Sequence, residues 1–419
     1  MADYKKKSVK KQPKAEPRNY PMTSGKKKSQ PNISEKPRFR VKKGKKGELR
    51  LSLFIAVALL IVVASVYLII LAFHPIGVAE FFSSKFKAVG KGDGYTVELS
   101  GEDVLTSVRT HDYYFTLTET EVLCNNNNGK QISAIEHGFA RPILYAAETR
   151  YIIFGQGEQT VKVYNFDDEL HNIHYDATVL GAAISDNGNF AVTRTADGYD
   201  SMITVYNKNG KILYEWYSSS GIISATKFIA NGKKLLVTTF SATDGAFSSK
   251  TIVLNFKSAD AEQSFKFDGE LCYNAYPVSK DSVAAVFENS VKFLNLKDGS
   301  VVTKSYEYSV KLTECDGGYT LISGNLDSNT DKNHITLYNK KAEVVSDFVV
   351  DFSVKSAIYE GKRIYLLSDN FLNCYNLDGE LIYTSEVTFD VKYFVPIDEK
   401  SFAAISNNFI SKIQFEKAE

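Results

Sequence analysis

Hydrophobic and polar positions follow two different rhythms along this chain. From Leu51 to Phe73 the sequence LSLFIAVALLIVVASVYLIILAF runs 23 residues without a charge. A helix of that length rises about 34 Å, enough to cross a hydrocarbon core of about 30 Å with modest tilt. From Tyr95 onward the pattern changes. Short alternating or continuous apolar runs are broken every few positions by Asn, Asp, Gly and Lys, as expected of β-strands joined by tight turns.

Within that second region one phrase recurs, a strand ending in an aromatic or aliphatic residue and then Asn. Its instances are EVLCN ending at Asn125, VKVYN at Asn165, ITVYN at Asn207, TIVLN at Asn255, VKFLN at Asn295, ITLYN at Asn339 and LNCYN at Asn376, with ISKIQ at Gln414 as the last. Successive markers stand 40, 42, 48, 40, 44, 37 and 38 residues apart. Eight repeats with a period near 40 predict a β-propeller, each repeat one four-stranded blade. The Asn marks the turn between third and fourth strands. About twenty residues earlier a second turn, as in ISDNGNFAV or IANGKKLLV, joins the first two strands. The runs after these turns, such as Phe190–Val192 and Leu235–Val237, are apolar on both faces, as strands packed between neighbouring blades must be.

The last repeat ends after its third strand, at Phe415, and YTVELS (Tyr95–Ser100) precedes the first full repeat without a partner. Residues 95–100 are therefore expected to supply the missing outer strand of the last blade. The expected fold is all-β, an eight-bladed β-propeller over residues 95–419, or seven-bladed if one repeat is merged. It follows a disordered tail (1–50), a transmembrane helix (51–73) and a juxtamembrane linker (74–94). In that linker Phe81, Phe82 and Phe86 with Lys85 and Lys87 fit either the headgroup level of a membrane or the underside of the domain.

Charge sharpens the division. The first 50 residues hold 18 Lys and Arg against 4 acids, and the rest of the chain 32 against 45. Five of the nine prolines also fall in the first 37 residues. Such a segment buries too little apolar surface to fold alone. Eight basic residues between Lys36 and Arg50 place this end in the cytoplasm by the positive-inside bias, and the C-terminal domain outside it. The apolar run is longer than a cleavable signal's core, so an uncleaved anchor is the reading preferred. The tail suits anionic lipid better than nucleic acid, since Tyr20 and Phe39 offer little stacking.

The ISDNGNFAV-type turn and the VYN-x-x-G phrase resemble the degenerate repeats of WD-repeat-like and pyrroloquinoline-quinone-type propellers. Together with the basic tail and single anchor, they are similar to a family of membrane-anchored propeller proteins of Gram-positive bacteria. The resemblance implies architecture and carries over no catalytic residue. The chain has no Trp-Asp dipeptide, and its one Trp (Trp216) cannot supply the docking motif of quinoprotein blades.

Candidate chemistry is sparse. Cys124, Cys272, Cys315 and Cys374 are too far apart in sequence for a metal motif and read as buried thiols, with one long-range disulfide as the other possibility. His171 and His174 lie three apart on a strand and so on opposite faces. No GxSxG, HExxH or GxxxxGK[ST] pattern occurs. Asp327, Asn329, Asp331 and Asn333 resemble half of a calcium loop, but Lys332 and Tyr338 replace its glycine and glutamate. No catalytic residue, metal or cofactor is therefore assigned.

What stands out is loop length. Three connections between second and third strands are expanded: Ala196–Ser201, Ser241–Lys250 and Asn325–His334. They gather Asp197, Tyr199, Asp200, Asp244, Phe247, Asp327 and Asp331 on one face of the ring, the expected recognition surface. The expected function is a non-catalytic binding or scaffold module for a cell-envelope protein or glycan, of unassigned oligomeric state. A propeller enzyme, glycan hydrolase or quinoprotein-type, and a sensor acting through the helix are the alternatives. Carboxylates converging in the central pocket would favour the hydrolase.

Overall fold

A computed structural model describes residues 45–73, 78–110, 112–326 and 331–417. Most of the basic tail, positions 1–44, lies outside the described residues. So does half of the calcium-like loop, residues 327–330.

Helix α1 spans Lys45–Phe73 and therefore begins inside the basic segment, six residues before the apolar run. Its described side chains, Leu53 to Ile69, are all exposed. Among the described residues no helical stretch is long and apolar enough to cross a membrane. A second helix, α2 (Val78–Lys87), occupies the middle of the 74–94 segment.

The remainder is a ring of eight antiparallel sheets. In chain order the blades comprise residues 104–136, 142–174, 179–218, 222–268, 274–305, 310–350, 356–386 and 393–414. The repeat count of eight is thus correct, and the seven-bladed alternative falls. Each marker lies at or beside the end of a third strand, as predicted. One was misplaced by a residue. In the run Asn125–Asn128 the turn starts at Asn126, whose Oδ1 accepts the N–H groups of Asn128 and Lys130, both at 3.0 Å.

The recurring Asn has a physical cause. Asn207, Asn339 and Asn376 each use Oδ1 to accept two N–H groups of the following turn, at 2.8–3.2 Å. The side chain stands in for a missing backbone acceptor, which is the reason Asn nucleates turns. Three residues after Asn126, Asn207 and Asn376 comes a glycine with φ between +76° and +78°, where a side chain would be strained.

The core is divided among the gaps between blades. Eight buried clusters occur, one for every neighbouring pair. Phe190 and Val192 point into the gap with the second blade while Ala191 points into the gap with the fourth, all three fully buried. A period of two with both faces covered gives a continuous apolar run. The eighth cluster joins Val104 and Tyr114 of the first blade to Val395, Ala403, Ile405 and Ile410 of the last.

Ring closure follows the expected route. Val97–Glu98 pairs antiparallel with the third strand of the last blade, with Val97 opposite Ile410 and Glu98 opposite Phe409. Leu99 N–H donates to the Asn408 carbonyl at 2.8 Å, which extends the join. The extreme C-terminus adds a feature that the repeat pattern did not suggest. Glu416–Lys417 forms a fifth strand on the outer edge of the seventh blade. Phe415 turns the chain there, its ring 5.1 Å from Phe402 of the last blade and 5.8 Å from Tyr365 of the seventh.

Candidate binding face

Because strands alternate in direction, each blade sends its first and third turns to one side of the ring. Its central hairpin and the link to the next blade emerge on the other. The first side is the turn face, the second the hairpin face.

Helix α2 is docked on the turn face, across the first two blades. Glu80 receives two hydrogen bonds from Arg150, at 2.7 and 2.8 Å, in a largely buried pair. Asn165 Nδ2 also donates to Glu80, at 3.0 Å. At this blade the marker Asn therefore grips the helix instead of capping its turn. Lys87 bonds Asp167 and Asp168, Lys85 bonds Asp112 at 2.7 Å, and Asn126 Nδ2 holds the Ala88 carbonyl at 2.9 Å.

On the hairpin face, three blades stand out as expected. In the fourth, strands Lys234–Thr243 and Ala246–Asn255 run ten residues each, four more than a typical strand of this ring. At about 3.3 Å per residue that adds roughly 13 Å of projection. Asp244 and Gly245, with φ of +50° and +78°, make the two-residue turn that closes it. The third blade closes its hairpin between Ala196 and Tyr199, the sixth between Asn325 and Asn333.

The seven residues singled out from the sequence are distributed among these hairpins. Asp197 lies in the third-blade turn. The Tyr199 ring is half-exposed and lies 4.8 Å from Tyr217. Asp200 has a structural task, since its Oδ2 accepts the N–H of Gly221 at 2.7 Å and fixes the link to the fourth blade. Asp244 closes the fourth-blade hairpin and Asp331 is exposed in the sixth. Asp327 lies outside the described residues. Among those described, no hydrogen bond, ion pair or ring contact joins the third-blade group to Asp244, Phe247 or Asp331.

Phe247 alone enters a larger feature. It lines a groove of about 810 Å³ between the fourth and fifth blades, with Phe240, Leu271, Tyr273, Phe287 and Tyr306. Phe247 is 47% exposed, Tyr273 52% and Leu271 38%. Beneath them Lys292 lies over the rings of Phe267 and Phe287, 5.1 and 4.8 Å from their centroids, and pairs with Glu270. Leu271 and Tyr273 sit in the blade-to-blade link FDGELCYNAY. Their apolar character in an exposed connection is the signal that sequence reading passed over.

The central channel holds the other unusual groups. A cavity of about 490 Å³ at its turn-face mouth is lined by Glu148, Asp186, Glu314, Asp316 and Glu360 with Arg109. Arg109 pairs with Glu360. Glu314 accepts the Tyr359 N–H at 2.8 Å, and burial, reinforced by the nearby Asp316 and Glu360 carboxylates, pushes its carboxyl up to about 8. On the first strand of the fourth blade, Lys227 lies 3.7 Å from the Tyr276 ring centroid, and burial pushes its ammonium down to about 8. Among the described residues no group of three or more His, Cys, Asp or Glu is placed to hold a metal ion. The four cysteines are unpaired thiols, Cys315 the least buried. His171 bonds the Lys208 carbonyl at 3.1 Å, whereas His174 bonds Thr160 at 3.1 Å.

The chain belongs to the family of unknown function DUF5711, whose model matches residues 93–415. No curated protein matches it. Among solved structures it is similar to BamB from Moraxella catarrhalis, with TM-score 0.51 and 11% identity over 77% of this chain and 99% of that one. It is likewise similar to Sqt1 from Saccharomyces cerevisiae, with TM-score 0.55 and 12% identity over 76% of this chain and 98% of that one. For the quinohemoprotein alcohol dehydrogenase ADHIIG from Pseudomonas putida HK5 the TM-score is 0.52, with 8% identity over 79% of this chain and 77% of that one. At these identities the likeness concerns the fold alone.

Proposed function

We propose that this protein is a single-pass membrane protein whose propeller lies outside the cytoplasm and serves as a non-catalytic binding or scaffold module for a cell-envelope protein or glycan. The anchor in this reading is the 23-residue uncharged run Leu51–Phe73 of the sequence, whose described side chains, Leu53 to Ile69, are exposed, with the basic tail on the cytoplasmic flank. The observation that carries the binding role is the groove around Phe247 and Tyr273. Exposed aromatics gathered in one concavity beside a projecting hairpin are the composition of a binding hot spot. Acidic hairpin tips at Asp197 and Asp244 favour a partner that offers basic groups around an apolar segment.

The test is photo-crosslinking in cells from positions 247 and 273 of the full chain. A discrete partner is expected, and Phe247→Ala with Tyr273→Ala should lower its recovery at least ten-fold. Undiminished recovery from the double variant would refute the assignment of the groove.

A second reading has a specific observation in its favour, the carboxylates of the channel mouth. Glu314, whose carboxyl burial pushes up to about 8, shares the channel mouth with the carboxyl groups of Asp316 and Glu360, and glycoside hydrolysis uses such a raised acid beside a second carboxylate. Release of reducing sugar from an envelope glycan, lost in Glu314→Gln, would move the assignment to that enzyme.

A further inference from the structure

Helix α2 is amphipathic in the reverse sense. The side facing the propeller is polar or small: Glu80, Ser84, Lys87 and Ala88, at spacings of four, three and one. Glu80 and Lys87 are paired there with Arg150 and with Asp167 and Asp168, and Ser84 is 4% exposed. The opposite side carries Phe82 and Phe86, 50% and 80% exposed, and Val89 in the turn just after the helix is 66% exposed. A surface helix ordinarily turns its apolar stripe to the core and its charges to water. Here ion pairs fix the charged side to the propeller, and the aromatic side faces outward.

We infer that α2 is an interfacial helix that seats the turn face of the propeller on the bilayer, with Phe82, Phe86 and Val89 entering the headgroup layer. This rests on the membrane-anchored reading. What points to lipid is chain continuity: only residues 74–77 separate α2 from the end of the 23-residue apolar run. Interfacial helices bury such a stripe a short way into the acyl boundary. Lys85 and Lys87 are engaged by Asp112, Asp167 and Asp168, so the contact is apolar and should depend little on salt. Seated in this way, the ring presents its hairpin face, and the groove around Phe247, away from the membrane.

The experiment uses the full chain in vesicles of phosphatidylethanolamine and phosphatidylglycerol. The single native tryptophan is removed by Trp216→Phe, and a reporter is placed by Phe86→Trp or, on the far face, Phe247→Trp. Brominated lipid should quench the reporter at 86 at least two-fold, at low and high salt, and leave that at 247 unchanged. A reporter at 86 that is unquenched in protein co-floating with vesicles overturns this inference alone, as does quenching at 247 in place of 86. Failure to co-float overturns the anchored reading beneath it. Should Trp216→Phe compromise folding, a nitroxide at Phe86→Cys in the native background reads the same depth, the native thiols being mostly buried.

Discussion

The two faces of the ring are built from the same repeat and differ in almost every other respect. The turn face is tied down. Its connections are short, capped by Asn side chains, and α2 is bolted to the second blade through the buried Glu80–Arg150 pair and to the first through Lys85–Asp112 and Asn126. The hairpin face projects by comparison, with ten-residue strands extending past the sheet and aromatic side chains left open. The difference teaches where each requirement is met. On the turn face Asn side chains hold their own blade's turns, whereas on the hairpin face bonds such as Gly221 N–H to Asp200 and Asn333 Nδ2 to the Phe352 carbonyl hold the links between blades. On that second face surface is also spent on exposure, which stability alone does not favour.

That contrast can be broken or sharpened by experiment. The largest effect is expected at Arg150. Replacing it by Ala leaves Glu80 buried without its partner, and chemical denaturation of the full chain should show a loss of about 3–5 kcal/mol. Leu99→Pro removes the N–H that bonds Asn408 across the ring closure and should cost about 3 kcal/mol. It should also raise hydrogen exchange in both the first and last blades, since the closing cluster joins them.

Glu314 makes stability depend on pH. Its folded carboxyl is raised above the ordinary range, so its contribution is fully present below the unfolded value. That contribution is lost as pH rises towards about 8. Glu314→Gln should therefore gain on the native protein by on the order of 2 kcal/mol between pH 5 and pH 8, read as the difference in unfolding midpoints. At Asn376 the loss of an acceptor for two turn N–H groups predicts about 1 kcal/mol for Asn376→Ala. The smallest effect belongs to the hairpin face. Phe247→Ala and Tyr273→Ala should each change stability by less than about 0.5 kcal/mol while weakening partner capture. A large destabilisation there would end the distinction between the faces.

The repeat was legible because every blade needs the same turn at the same place, and Asn is among the few residues that build it. The one slip, Asn125 for Asn126, came from four consecutive asparagines that offer two equivalent registers until the bonds of Asn128 and Lys130 select one. Ring closure was legible for a related reason: a repeat one strand short and an orphan strand at the other end can satisfy each other's backbone only by pairing. The fifth strand at Glu416–Lys417 had no such signature, since an edge strand of two residues carries no pattern.

The candidate site shows the limit. Hairpin lengths disclosed which loops project, and Phe247 was found on that basis. Phe240, Leu271 and Tyr273 belong to segments up to 33 residues apart, and only the closing of one blade against the next makes them a single groove. The acids of the channel mouth come from four different blades, and their burial has no trace in composition.

By itself the sequence determined the propeller repeat, the closing strand, the loops that project and the charge division around the apolar run, because these depend on local periodicity and on backbone groups that must be paired. The choice of eight blades over seven waited for the sheets themselves. The tertiary structure decided what those elements face. It turned Glu80 of α2 inward to Arg150 and left Phe82 and Phe86 outward, and it assembled groove and channel from residues distant in the chain. Which side of an element is covered depends on its neighbours, and those are known only once the ring has closed.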